Sequence, residues 1–472
     1  SSTVRVVRYR GPIFHPNEDP DGARDITRPC RNPKSNPTQN SKLRTRKLAQ
    51  ACYALPKPRA HRDDTMQIRP FNAVRPPPEL ADRVAAPPYD VVDTRTARRL
   101  TEGNPMSFLR VTRPELELPE GTDAHDDTVY ARAGSNFRTF LEQGYLLADP
   151  EPCLYVYRIA AGDHEQTGVV ALCSVDDYAS NVIRRHEKTR SATETDRTRH
   201  ITALGAQAGP VFLLHRDHDR LAGLLAAFAG AGTPLYDVET GEGIRHTVWR
   251  LPDTSGVVDA FTELDGAYVA DGHHRAAAAL RAADERTGRA SSGGDEGCRW
   301  FLTALFPASE LRVLAYNRVV SDLNGLDPIS FLERVREQVE VTEDAPPVPD
   351  APCRAGMYLD GRWYGLSWPE TVPADLVGGL DVSVLQERIL APVLGIADPR
   401  QDPRISFVGG VHGTGALVEQ VRSGQAAVAF SMYPTSVDQL MAVADQGSVM
   451  PPKSTWFEPK LRSGLLVHPL GE

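Results

Sequence analysis

Residues 267–275 read Ala-Tyr-Val-Ala-Asp-Gly-His-His-Arg and run straight into Ala276–Ala279, so a short apolar strand breaks at a glycine and becomes an alanine-rich helix. The first N–H groups of a helix have no partner inside it, and the helix dipole places partial positive charge at that end, so such a turn suits a phosphate. Arg275 adds a guanidinium fork, Asp271 a carboxylate able to take magnesium, and His273 and His274 donors that titrate near neutrality. A plainer reading stands beside this one: Asp271 caps the helix and both histidines face water. The motif alone does not decide between them.

Composition narrows the classes. A chain of 472 residues is too long for one ordinary core, and 41% hydrophobic with 24% charged residues is the balance of a soluble globular protein. No apolar run reaches the length of a membrane span and the N-terminus lacks a secretory apolar core, so a cytoplasmic protein with no membrane partner is expected. The six cysteines are scattered without C-x-x-C spacing, which points to neither a zinc site nor a disulfide framework.

Charge divides the chain. Ser1–Thr65 holds 14 Lys/Arg against 6 Asp/Glu, and that net +8 leaves −17 for the remainder. The segment is rich in Pro, Asn, Ser and Arg and lacks apolar periodicity, so residues 1–65 are expected to be a disordered basic extension. Met66 is the first methionine, and the strand-like Gln67–Phe71 follows it directly. Met66 is therefore expected to be the natural start.

Beyond Met66, short strands and helices alternate. Arg75–Asp93 holds two proline clusters around one helical turn. Ala97–Gly103 and Asp126–Gly144 have helical spacing. Pro152–Ala160, Thr167–Val175, Val211–Leu214 and Thr247–Leu251 read as strands, the first two apolar enough for burial on both faces. Gly288–Gly297 reads as a Gly/Ser surface loop, Trp300–Phe306 with Leu311–Val320 as a strand pair, and Met357–Trp368 as a hairpin turning at Asp360-Gly361. A boundary is placed at Leu323, giving a catalytic region 66–323 and a C-terminal α/β region 324–472 that completes the site.

Two further polar clusters stand out. Arg184–Arg190 (RRHEKTR) and Asp196–His200 (DRTRH) mix both charge signs and follow buried strands, as a functional loop on a rigid scaffold would. A solvated loop of internal ion pairs is the alternative. Glu187 beside His186, with arginines near, is equipped to take a hydroxyl proton while cations hold developing charge, as phosphoryl transfer needs. Met450–Lys460 (MPPKSTWFEPK) fixes its backbone with prolines and offers Lys453, Ser454 and Thr455 to a substrate carboxylate or phosphate. No P-loop and no G-x-G-x-x-G fingerprint is present, which removes Walker-type ATPases and Rossmann dehydrogenases.

Taken in order, RPFNAVRPPPELADRVAAPPYDVV, RRHEKTR with DRTRH, AYVADGHHR, YNRVV and MPPKSTWFEPKLRSGLLVH resemble the bacterial and archaeal DUF1015 family, from about Gln67 to the end. The strand, DGHHR turn and helix also resemble the ParB/sulfiredoxin superfamily, which includes archaeal free-serine kinases. The resemblance implies an α/β (α+β) fold with a ParB/sulfiredoxin-like nucleotide-binding core. It also implies an ATP- or ADP-dependent, magnesium-dependent kinase of a small hydroxylated metabolite, with free L-serine as the sharpest candidate. On that basis Asp271 would hold magnesium or the attacking hydroxyl, and Gly272, His273, His274 and Arg275, joined by Arg197, would cradle the phosphates. The kinases' separate catalytic glutamate has no motif-level counterpart, so Glu187 is nominated on the residues alone, with Asp90 next in line and counted among the substrate contacts.

Two other classes compete. A ParB-type module would use bound nucleotide as a switch for clamping nucleic acid, but the net −17 after Met66 lacks the basic face that a phosphate backbone requires. A metal-dependent phosphohydrolase would draw on His186, His200, His246, His273 and His274, yet no H-x-x-x-H helix pair is present. The expected partners are thus a nucleotide and a small substrate, with no nucleic acid; oligomeric state is open.

Overall fold

Alternation of side chains organises the molecule. In the strand Val211–His215, Val211 and Leu213 enter one apolar cluster while Phe212 and Leu214 enter another. The strand Ala267–Asp271 repeats this, with Ala267 and Val269 on the first side and Tyr268 and Ala270 on the second. A strand whose successive side chains point to opposite faces reads as a continuous apolar run only when both faces are covered. The expected burial of both faces is met: Leu154–Ala161 and His164–Ser174 also divide their apolar residues between the two clusters.

The computed structural model describes residues 65–241, 243–287, 296–369 and 375–471. The basic segment up to Asp64 and the Gly/Ser stretch 288–295 lie outside the described residues. These strands belong to a nine-stranded mixed sheet. Its order is Ile183–Arg184, Ala267–Asp271, Val211–His215, Trp300–Pro307, His164–Ser174, Leu154–Ala161, Ile244–Leu251 and Tyr236–Glu239, with Ile68–Arg69 added beside His164–Ser174. Two pairings are parallel, Ala267–Asp271 with Ile183–Arg184 and Trp300–Pro307 with Val211–His215. Helices Asp219–Ala231, Ser255–Phe261 and His273–Thr287 supply the apolar residues that cover one face.

The other face packs against a six-stranded antiparallel sheet ordered Glu340–Glu343, Arg362–Ser367, Arg354–Leu359, Val428–Met432, Tyr316–Val320 and Ile405–Gly409. Phe306, Phe212 and Tyr157 from the first sheet share one continuous core with Met357, Phe430 and Val320 from the second. Asp445, ending the helix Val437–Asp445, reinforces the junction by accepting a 2.7 Å hydrogen bond from the Tyr268 hydroxyl and pairing with Arg216 at 2.6 Å. The hairpin at Asp360-Gly361 forms as expected.

Two readings need correction. Trp300–Pro307 and the stretch 311–320 are not a strand pair, because Pro307 and the turn Ala308–Glu310 carry the chain from one sheet to the other. The loop expected over 184–200 ends at Arg190, and Ser191–Leu204 is a helix closed by Gly205 at φ 62°. Its inward side is built on Thr198, His200, Ile201 and Leu204, so polar residues at buried positions hid the helical period.

The end of the chain returns to the first sheet's neighbourhood. Trp456–Phe457 pairs with Val313–Leu314, Ser463 bridges Ala86, Val467 bridges Val74, and His468–Pro469 pairs with Ala206–Gln207. The expected division at Leu323 falls after Tyr316–Val320, the strand with which the chain enters the six-stranded sheet.

Gly168 permits the tight centre of the large sheet. It lies opposite Tyr157 in the ladder, and an added Cβ would meet the Leu305 carbonyl and stand 2.7 Å from the Phe306 ring. Gly168→Ala should therefore destabilise the protein by about 1–3 kcal/mol, the usual cost of overpacking. Denaturant titration checks this, and an unchanged midpoint would refute it.

Candidate functional site

Gly272 sets the geometry of the turn. It adopts φ +94°, and a Cβ there would lie 3.0 Å from the Arg275 guanidinium carbon, so any side chain would be both strained and obstructed. Asp271 closes the strand, His273 opens the helix, and the Ala276 N–H donates to the Gly272 carbonyl at 3.0 Å. The N–H groups of the residues between stand ahead of the helical ladder. Arg275 donates to the Pro210 carbonyl and lies 4.0 Å from Asp271, which holds the guanidinium against its own turn.

Three chain segments are laced together here. The Arg190 N–H donates to His274 Nε2 at 3.0 Å, and the Met450 N–H donates to the His186 carbonyl at 2.7 Å. His186 and His273 are buried edge to face with ring centroids 4.5 Å apart. His186 Nε2 lies 3.3 Å from the Thr455 hydroxyl, and His273 Nε2 is buried with no hydrogen-bond partner. The loop carrying Glu187, the DGHHR turn and the 450–460 segment therefore form one cleft.

Glu187 is half-buried there. Burial raises its carboxyl pKa with help from Asp271, while Lys453, Arg190 and Arg400 pull in the opposite direction. Burial would lower the Lys453 ammonium, but Tyr316, Glu187, Asp271 and Asp90 hold it above its ordinary value. Burial would raise Asp271, yet Lys460, Arg275 and Lys453 keep it far below the usual carboxylate range. The three groups thus feel one another's charge, and Asp90, exposed at the rim, acts on both Lys453 and His274.

An aromatic platform carries the two lysines. The Tyr316 and Trp456 rings meet edge to face at 5.2 Å, with Lys453 Nζ 5.5 Å from the first centroid and Lys460 Nζ 4.5 Å from the second. A ring face attracts a cation through its quadrupole. Lys453 has a left-handed backbone, φ 57°, and its carbonyl accepts from buried Arg318 at 3.2 Å. Lys460 reaches Asp271 at 2.9 Å.

Sequence reasoning missed Lys460, Arg190, Tyr316 and Arg318 as site residues. Lys460 lay in a segment already singled out, but spacing alone could not show which lysine would face Asp271. Ser454 is a correction: it is buried and its hydroxyl donates to the Pro451 carbonyl at 2.7 Å, so it does not face a substrate. Arg197 stands somewhat apart, bonded to Asp196 at 2.7 Å and stacked 4.1 Å over Tyr89. With Arg275, Tyr89, Gly209 and Ser463 it lines a small adjoining pocket.

The metal readings fit poorly. Lys460 already occupies the Asp271 carboxylate, and among the described residues no group of three or more His, Cys, Asp or Glu side chains could hold a metal ion. The residues present therefore do not suit a magnesium ion held by the protein. The five-histidine site is not assembled either, because His200 lies 2.9 Å from the Val111 carbonyl and His246 sits between the Tyr157 hydroxyl and Arg462.

Fold and site together define a mixed α/β protein with a charged cleft at a strand-to-helix turn. The chain belongs to the family described as "Protein of unknown function (DUF1015)", whose model matches residues 68–383 and stops short of the 450–460 segment. No curated protein matches it. Among solved structures, it is similar to a conserved hypothetical protein from Pyrococcus furiosus, 13% identical over 63% of this chain and 94% of that one, with a TM-score of 0.34. It is also similar to a C-terminally truncated SbnI from Staphylococcus aureus, 14% identical over 64% and 87%, TM-score 0.37. A free serine kinase in complex with AMP is 12% identical over 61% and 86%, TM-score 0.31. Among the described residues no helix is long and apolar enough to cross a membrane.

The buried histidines give the protein an acid-sensitive stability. Burial pushes His186 and His200 down to about 4 and His246 to about 3. Their folded values lie below the unfolded one, so the unfolded chain binds more protons under about pH 6.5. The contribution is complete above that pH and is lost as pH falls toward the folded values, by up to roughly 3 kcal/mol per histidine. Melting temperature should drop between pH 6.5 and 4, and the drop should be shallower in His186→Phe. Equal slopes would contradict this account.

Proposed function

We propose that the protein is a nucleotide-dependent phosphotransferase acting on the hydroxyl of a small metabolite, with free L-serine as the sharpest acceptor. The observation that carries this reading is the convergence of Glu187 and Lys453 on Asp271 beside the Gly272–Arg275 turn. The resemblance of that turn to the free-serine kinases supplies the acceptor.

The chemistry follows from the groups present. The N–H groups of the turn and Arg275 receive the phosphates, with Arg197 at the adjoining cavity. Lys453 attracts the acceptor's carboxylate and Asp90 its ammonium. Glu187 removes the acceptor's hydroxyl proton as the oxygen bonds to the terminal phosphorus and the bond to the nucleotide leaving group breaks. A carboxyl pKa raised by burial makes Glu187 a better proton acceptor than an exposed carboxylate. The base is the ionised form, so activity falls as pH drops through that raised value.

Incubation of the full chain with labelled ATP or ADP and a metabolite panel tests the reading. A phosphorylated hydroxy compound, phosphoserine first, is expected. Nucleotide binding without turnover would instead indicate a ParB-type regulatory module, and phosphate release from phosphoesters a hydrolase. Glu187→Gln should lower turnover by about 10²–10⁴ and remove the acidic limb of the pH profile, with nucleotide affinity unchanged. Full turnover in this variant would eliminate Glu187 as the base. Arg275→Ala should weaken nucleotide binding by about 1.5–3 kcal/mol, and unchanged calorimetric affinity in a folded variant would eliminate the phosphate role.

A further inference from the structure

Asp271 is surrounded by cations: Lys460 lies 2.9 Å away, Arg275 4.0 Å away, and Lys453 acts on its charge. Lys460 is more than a loose surface lysine. Its side chain is 16% exposed, and its ammonium sits between the Asp271 carboxylate and the Trp456 ring face. Trp456 is seated by a close approach of its own, because a Cβ on Gly409 would lie 2.6 Å from the indole. The indole N–H donates to Glu458 at 2.9 Å, which fixes the ring's orientation.

Charge accounting around the cleft points the same way. The cations Lys453, Lys460, Arg275, Arg190 and Arg400 outnumber the acids Asp271, Glu187, Asp90 and Glu194. A chain that is strongly acidic after Met66 has gathered positive charge at one turn, beside N–H groups that suit an anion. A metal ligand would require the opposite, a carboxylate free of ammonium groups and joined by further oxygen donors.

Resting on the nucleotide reading above, we infer that Lys460 is the fixed cation that binds the phosphates at this turn, and that Asp271 is its positioning residue rather than a metal ligand. An ammonium held by a carboxylate on one side and a ring on the other keeps N–H directions for a further acceptor. It therefore meets a diphosphate without a protein-held divalent ion. Arginine at this position would keep the charge, and methionine would keep much of the apolar stem while removing it.

Calorimetry on the full chain with ADP and with inorganic pyrophosphate, each in excess EDTA and in magnesium, tests this. Wild type should bind both ligands in EDTA. Lys460→Met should weaken both by ten-fold or more, Lys460→Arg should recover most of that loss, and Asp271→Asn should weaken both by a smaller factor that magnesium does not restore. A merely structural role would alter the melting temperature without the recovery by arginine. Binding by wild type only in magnesium, with that dependence lost in Asp271→Asn, would make Asp271 a metal ligand and overturn the inference. Pyrophosphate binding that depends on Lys460 while ADP fails to bind would uphold the inference and remove the nucleotide reading. Failure of both ligands under both conditions would remove both.

Discussion

The ion pair between Asp271 and Lys460 joins residues 189 positions apart, and the arrangement of the cleft depends on it. A half-buried carboxylate at the end of a strand is costly unless a cation reaches it, and removing one partner of a buried pair typically costs about 3–5 kcal/mol. Lys460 is held at Asp271 because the last described segment runs back across the molecule, pinned before it by the pairing with Val313–Leu314 and after it by those with Ala86, Val74 and Ala206–Gln207. The Asp271 end of the strand is thus an electrostatic anchor as well as a chain reversal. The same anchor lowers Asp271 while burial raises Glu187, so two carboxylates in one cleft hold opposite protonation tendencies.

The scaffold explains why the cleft can be rigid. Strand Ala267–Asp271 lies between Ile183–Arg184 and Val211–His215, so its backbone is fixed from both edges. Helix His273–Thr287 buries Ala276, Ala277, Ala279 and Ala283 in the cluster on one face of the large sheet. Small side chains let that helix lie close to the sheet, which holds the turn between strand and helix at a constant height. The six-stranded sheet presents Tyr316, and the separate pair of Val313–Leu314 with Trp456–Phe457 presents Trp456, so elements outside the large sheet contribute a wall to the cleft.

Much of the fold was legible because the periods were clean. The continuous apolar runs 152–160 and 167–175, which only a strand covered on both faces can carry, and the glycine break at 272 were visible in the residues themselves. The helix Ser191–Leu204 was not, because its inward face uses Thr198 and His200, whose polarity reads as solvent exposure until the Glu194 and Val111 carbonyls are seen to satisfy them. The sheet exchange after Pro307 was equally hidden, since two apolar runs look alike whether they pair with each other or with distant strands. In the cleft, residue types pointed to Glu187, Asp271 and Lys453, but pairing across long sequence distances chose between Lys453 and Lys460 and turned Ser454 inward.

The return of the tail also bears on biosynthesis. A growing chain that has just emerged with Asp271 must wait for another 189 residues before its ammonium partner exists. Until then the strand end has Arg275, 4.0 Å away, as its near cation, and the edges that later receive Phe457, Ser463 and Val467 stand open. Such distant pairings form late and leave partly folded species exposed to association. A truncated translation product ending before Trp456 would keep most of the large sheet and the Gly272–Arg275 turn, yet lack both Lys460 and the ring that seats it, so Asp271 would face the cleft without its nearest cation.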